Sequence, residues 1–385
     1  MTKSGSTTSL KTFLFSFHAT NTIIISFLPL YLRYKGFSGT EIGWVLAIGP
    51  FASIFSQPLW GYLSDKYKTV KTMIIICMTG FLLTGIFFFQ LNAIIPILLV
   101  GSIFYFFSYP VSALGDSLGQ RRADELNISF GSIRMWGSIG FAVSSLAIGE
   151  VLNQVGIQYI MWPYLAFGVI TLLAAFKLTD VQATDTPLQL SDLKHLLQSK
   201  PYLLFLLFTL FIATTHRAND SFIGLYITQL GGSERLVGIA WFIGVISEAI
   251  IFALAVFWFR KYPSLIFIIA ASTLYTLRWF IYASVHDPVY ILFFQVLHGL
   301  TFGVFYLAAF HYVTRIIPKD LQSTGHLLFY SVMFGFSGII GSLIGGRVID
   351  ILGGHFLYFA LGSTALIGTI CFITFYFFQM RNPKT

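Results

Sequence analysis

Charge is scarce in this sequence. Asp, Glu, Lys and Arg together make up 10% of 385 residues, while hydrophobic types reach 56%. A water-soluble domain carries roughly 25% charged residues, so a soluble globular protein is excluded and a polytopic membrane protein is expected. Cysteine is nearly absent as well: Cys77 and Cys371 both lie in apolar runs and are expected as packing residues rather than a disulfide. No nucleophile–base arrangement, phosphate-cradling glycine loop or metal-spaced cluster stands out. An enzyme is therefore not expected, nor is a metal or cofactor. The net charge of +8 does not argue for nucleic acid, because the basic residues sit in short loops. A cleavable leader is not expected either, since the first ten residues are polar and the first apolar run is long enough to remain as a helix.

What the chain has in abundance is long apolar runs, with 42 Phe among them. Twelve spans emerge, at 12–33, 42–64, 72–90, 94–117, 130–152, 159–177, 203–229, 235–258, 263–284, 288–313, 323–351 and 355–379. Each approximates the 17–25 residues a helix needs to cross hydrocarbon. With the amino terminus inside, sixteen Lys and Arg fall on the cytoplasmic side, among them Lys66, Lys68, Lys71, Arg121, Arg122 and Arg315. Only Arg33, Lys35, Arg235 and Arg347 fall outside, so both termini are expected in the cytoplasm.

The one long polar segment, 178–200, separates an amino-terminal six-helix bundle (1–177) from a carboxy-terminal one (201–385). Ser191 is placed to cap a short amphipathic helix at 192–198 within it. An internal repeat supports the division. FLPLYLRYKGFSGTEIGWVLAIG at 27–49 aligns without gaps to FIGLYITQLGGSERLVGIAWFIG at 222–244, an offset of 195 residues. The end of span one thus matches the end of span seven, which makes the halves parallel repeats. Spans five and eleven also correspond, each rich in Gly and Ser that allow close helix packing. The expected fold class is an all-α membrane protein of twelve helices in two six-helix parallel repeats.

Between spans two and three, QPLWGYLSDKYKTVK (57–71) forms a tight basic turn. Its G-x-L-x-D-K core, Gly61–Lys66, resembles the signature loop of the major facilitator superfamily. That resemblance implies that Gly61 allows a close helix approach and that Asp65 and Lys66 latch one conformation. The plain alternative is a turn with positive-inside lysines.

Ionisable residues at membrane depth are few and therefore informative: Asp116, Arg134, Arg217, Asp220, Glu248, Arg278 and His298. Phe130–Gly137 reads FGSIRMWG, with Asp116 upstream, and Arg278 and His298 stand in T-L-R-W and L-H-G. These motifs resemble those of the oligosaccharide/proton symporters, the lactose-permease branch, and nearly as closely the phenylpropionate-permease-like members. The resemblance covers nearly the whole chain. It implies that Asp116 and Arg134 pair and hold substrate hydroxyls, with Phe141 as the aromatic platform, and that Arg278 and His298 belong to the proton-coupling set.

His18 and Asn21 are further candidates to line the substrate site, and Glu248 to carry the proton under the influence of Arg278. Arg217 and Asp220 share a helix face, so a local pair stands beside a substrate role for Asp220. A static buried network is the alternative for each set. The chain departs from the lactose pattern where Thr301 replaces the branch's glutamate, Gln295 its lysine and Phe141 its tryptophan platform, which puts galactoside specificity and the proton's route in question.

The expected function is proton-coupled uptake of a small organic solute, sugar, oligosaccharide or nucleoside-like, by alternating access. Aromatic-acid uptake and solute or drug efflux by antiport are the alternatives. Residues 131–150 lack the proline-rich signature of such exporters, which favours uptake. The partners expected are the solute, protons and the bilayer, with no nucleic acid, for a monomer in the inner membrane of a bacterium.

Overall fold

The structure, a computed structural model, describes residues 3–180, 196, 198–259, 262–318 and 321–381. The helix expected at 192–198, capped by Ser191, lies outside the described residues except for Leu196 and Gln198, as do Lys194, Arg260, Lys261, Lys319 and Lys384.

Twelve helices are long and apolar enough to cross a membrane, and among the described residues no strand occurs. They are α1 (Thr7–Tyr34), α2 (Gly39–Lys66), α3 (Val70–Gln90), α4 (Ile94–Leu126), α5 (Phe130–Val155) and α6 (Ile157–Phe176). The series continues with α7 (Lys200–Gln229), α8 (Glu234–Ala255), α9 (Ser264–Ser284), α10 (Pro288–Ile316), α11 (Thr324–Ile351) and α12 (Gly353–Gln379). Each meets one expected span. The largest difference is at α4, which runs to Leu126 instead of stopping near residue 117. Its last turns carry Gln120, Arg121, Arg122, Asp124 and Glu125, with Gln120 bonded to Asp124 and Arg122 paired with Glu125. Pairs three and four residues apart sustain a helix that hydropathy cannot see.

The chain forms two compact units. The first holds α1–α6 together with Ser233–Phe242, the first turns of α8; the second holds α7, the rest of α8 and α9–α12. Within the first unit α1 packs on α5 and α6, α2 on α4, and α3 on α4 and α6. Within the second, α7 packs on α11 and α12, and α9 on α10 and α12. α8 reaches α10 where the Gly299 amide donates to Ser247 Oγ (2.9 Å). The same partners recur at equivalent positions, as parallel repeats require.

Two glycines make that recurrence physical. A methyl group at Gly140 would lie 2.2 Å from the Phe15 carbonyl oxygen, and one at Gly341 would lie 2.9 Å from the Thr214 carbonyl oxygen. So α5 lies backbone to backbone on α1, and α11 on α7, through small residues.

The α2–α3 turn is built from local chemistry. Lys68 takes a left-handed conformation (φ 53°) after the end of α2, and Thr69 caps α3 by accepting from the Thr72 amide (3.2 Å). Asp180, just past α6, completes the cap: its Oδ1 accepts from the amides of Val70 (3.0 Å) and Lys71 (3.1 Å), and its other oxygen from the Thr69 hydroxyl. A carboxylate there meets both the free amides and the positive end of the α3 dipole.

The close approach expected at Gly61 is not made there, because a methyl group at that position would meet open space. Asp65 and Lys66 are exposed; Lys66 lies over the Tyr67 ring (5.8 Å), and Asp65 forms no ion pair among the described residues. The carboxylate that ties this loop down is Asp180.

Candidate functional site

In the first unit α4 and α5 are joined by a short turn closed by Asn127 in the left-handed conformation (φ 52°). This hairpin brings Asp116 opposite Arg134, whose Nε lies 2.9 Å from Oδ1 of the acid. Each side chain retains about a third of its surface, 35% and 33%. His18 of α1 reaches the same place. Its Cδ2 and Nε2, and Nη1 of Arg134, surround the spot where a side chain at Gly137 would begin, at 2.4, 2.8 and 2.7 Å. Gly137 is therefore the space that the imidazole and the guanidinium share.

His18 is only 8% exposed, yet its Nε2 has no hydrogen-bond partner. Phe141, one turn along α5 from Gly137, packs obliquely on Trp241 (centroids 5.6 Å apart), whose indole N–H is likewise buried and unpartnered. Asn21 is half-buried on the His18 side of α1. Polar groups left unsatisfied beside an ion pair and two aromatic rings make a cradle for a small polar solute with an apolar face.

Gly137→Ala separates this site from the fold. The new methyl displaces the far ends of two flexible side chains, so transport is expected to fall at least tenfold while the protein stays folded. Gly140→Ala drives a methyl into backbone and should cost about 1–3 kcal/mol of stability. Thermal melting and uptake of the two variants in parallel check this; equal loss of stability in both would make Gly137 a packing position only.

The second unit holds a separate network. His216 and Asp220 lie one turn apart on α7, with His216 Nε2 3.4 Å and Arg217 Nη1 3.1 Å from the same Asp220 oxygen. The His216 ring faces His298 of α10 (centroids 5.4 Å), and His298 Nε2 lies 3.6 Å from Glu248 of α8. Both histidines keep an unpartnered Nδ1. A broad helical turn, Gly299–Gly303, follows His298 directly, a feature frequent at functional sites.

Arg278 differs from expectation. It is fully buried, but it donates to Gln295 Oε1 (2.6 Å), Thr301 Oγ1 (3.1 Å) and Tyr282 Oη (3.3 Å) and lies over the Trp279 ring (4.8 Å). Glu248 is not its partner; the acid's contact is His298. The reason is local: Gln295 and Thr301, two of the positions that depart from the lactose pattern, supply neutral oxygens that satisfy the guanidinium. Asp220, grouped from sequence with the substrate residues, makes the local pair with Arg217 and also contacts His216. His216 was not singled out from sequence, although its spacing of four from Asp220 was the available signal.

A membrane chain with paired halves and a buried polar cluster in each has the architecture of a solute transporter, and its relatives are transporters and permeases. The chain belongs to the MFS_1 like family, whose model matches residues 7–360. It is 28% identical over 359 residues to the transporter YwbF of Bacillus subtilis (strain 168), covering 92% of this chain and 90% of that one. It is 27% identical over 346 residues to a maltose permease of Geobacillus stearothermophilus, covering 87% and 86%. The crystal structure of the nucleoside transporter NupG superposes with a TM-score of 0.88 at 18% identity, covering 98% and 99% of the two chains. That likeness establishes the fold.

Proposed function

We propose that the chain carries out proton-coupled uptake of a ring-bearing polyhydroxy solute, a sugar, oligosaccharide or nucleoside, by alternating access. The observation that carries the reading is the Asp116–Arg134 pair with the buried, unpartnered Nε2 of His18 beside it. In an apolar membrane interior such an arrangement is costly unless a ligand completes it. Arg134 donates to a substrate oxygen, Asp116 accepts from a hydroxyl, and His18 and Asn21 read a further hydroxyl, while Phe141 meets the ring's apolar face.

The proton rides on the histidine–acid network, from Glu248 through His298 to His216 and Asp220, with Arg278 fixing the local field. The moving bodies are the halves 1–177 and 201–385, joined by 178–200, with both termini cytoplasmic. The turn carrying Asp65 and Lys66, anchored by Asp180, serves as a conformational latch, to which Gly61 contributes no close helix contact. That one relative carries maltose in its name and a superposing structure carries nucleoside supports this substrate class.

The test is uptake by the purified protein in liposomes with an imposed pH gradient, using labelled maltose, uridine and 3-phenylpropionic acid. Gradient-driven accumulation of maltose or uridine, abolished by a protonophore, is expected. Accumulation of the aromatic acid alone, or gradient-driven export of lipophilic cations, would replace this reading with one of the alternatives.

A further inference from the structure

α10 has three distinct faces. Ile291, Phe305, Ala308, Ala309 and Tyr312 are buried in the second unit's core, and Phe293 (68%), Val296 (56%) and Leu300 (38%) are exposed in the manner of lipid-facing residues. The third face begins at His298 and repeats every four residues as Phe302, Tyr306 and Phe310, all half-exposed. α11 carries a matching row with the same period: His326, Tyr330 and Phe334, the first and last half-exposed and Tyr330 36% exposed.

The rings form a continuous ladder. His216 stacks on Phe302 (4.4 Å, 10°), Phe302 on Tyr306 (5.6 Å, 18°), and Tyr306 is followed by Phe310 (6.4 Å). Phe310 stacks on His326 (4.0 Å, 16°), and Tyr330 on Phe334 (6.1 Å, 23°). The two rows are joined midway by a hydrogen bond from the Tyr306 hydroxyl to the Tyr330 hydroxyl (3.0 Å). At the far end His326 Nε2 meets the Thr314 hydroxyl (3.0 Å).

We propose that this ladder is a stacking track for the flat face of a ring-bearing solute, leading from the His216/His298 network toward the end of α10 that carries Arg315. Three features set it apart from a lipid-facing surface. It grows directly out of a buried polar network, it carries two tyrosine hydroxyls and a histidine along its length, and α10 already presents a separate apolar face. Membrane segments keep such polar groups toward a water-filled path or the protein interior. Successive rings at this spacing let a sugar's C–H face or a nucleobase pass from one partner to the next without full resolvation, and aromatic stacking tolerates many ring types. The inference deepens the proposed function by assigning a path to the same solute class, and it rests on that reading.

The experiment uses the full chain with Cys77 and Cys371 replaced by serine, carrying Tyr306→Cys or Tyr330→Cys, in native membranes. A charged maleimide is expected to label both cysteines. Maltose or uridine should slow labelling at least fivefold, whereas glycerol, which has no ring, should not. In the parent background Tyr306→Ala should slow uptake about tenfold and Tyr306→Phe should restore it. No labelling at either position, or labelling that neither ring solute slows, overturns the ladder. Uptake of maltose or uridine without protection defeats the ladder alone. Protection without uptake of either defeats the transport reading alone.

Discussion

Replacing Arg134 with lysine is expected to weaken solute binding roughly 30- to 1,000-fold, the 2–4 kcal/mol typical of losing one partner in a hydrogen-bonded charge pair at a binding site. The substitution keeps the positive charge. It removes the planar fork whose Nε holds Asp116 at 2.9 Å while Nη1 projects into the space at Gly137. A lysine ammonium reaches one of those positions but not both. Asp116→Asn tests the other side, keeping shape and losing the acceptor's charge.

Both variants are expected to insert and fold, because each keeps a polar side chain of similar length that can still hydrogen-bond to its partner and to the solvent that reaches about a third of each side chain. Equilibrium binding of maltose or uridine, measured with thermal melting, separates the two effects. Wild-type affinity in both variants would reduce the pair to scaffold. A large drop in melting temperature would instead mark it as structural.

That pair was legible in the sequence through the family resemblance; its members lie 18 residues apart on two helices joined by a short turn, which places them side by side in the structure. The twelve spans were legible because hydrocarbon demands continuous apolar runs. The last turns of α4 were not, since they leave that medium and hold together by side-chain pairs among Gln120–Glu125.

Depth in the membrane could be read for Arg278 and Glu248, but not the direction in which each side chain points around its helix. The choice of partner depended on rotation, on the broad turn after His298 and on the oxygens of Gln295 and Thr301. Gly61 shows the opposite error: a motif suggested a contact, and the backbone there meets none. The residue that anchors that loop, Asp180, lies 110 positions from Val70, where no local pattern points to it.

Glu248→Gln is expected to separate transport from its driving force. Thr301 stands where the lactose branch has a glutamate and cannot titrate in the physiological range, so the proposed proton coupling needs a carrier at another position. Glu248 is the carboxylate beside His298, and the His216 ring, its centroid 5.4 Å from that of His298, contacts Asp220 in turn, so the proposed proton acceptors lie in one cluster of the second unit. Arg278 is satisfied by neutral oxygens, which leaves the exchange of partners to His298 rather than to the arginine.

Glutamine keeps the shape of the acid and its ability to bond to His298, while fixing it in the uncharged state. With one proton per solute, a gradient of one pH unit can sustain about tenfold accumulation, since one unit is worth 1.36 kcal/mol. In Glu248→Gln that ratio should fall to about one, the equilibrium value without coupling, while exchange of labelled for unlabelled solute continues near the wild-type rate. Asp220→Asn run beside it tells whether the second acid is an obligatory link. Undiminished uphill accumulation in Glu248→Gln would exclude it as the carrier, and loss of exchange together with accumulation would show that the Glu248–His298 contact holds the structure rather than the proton.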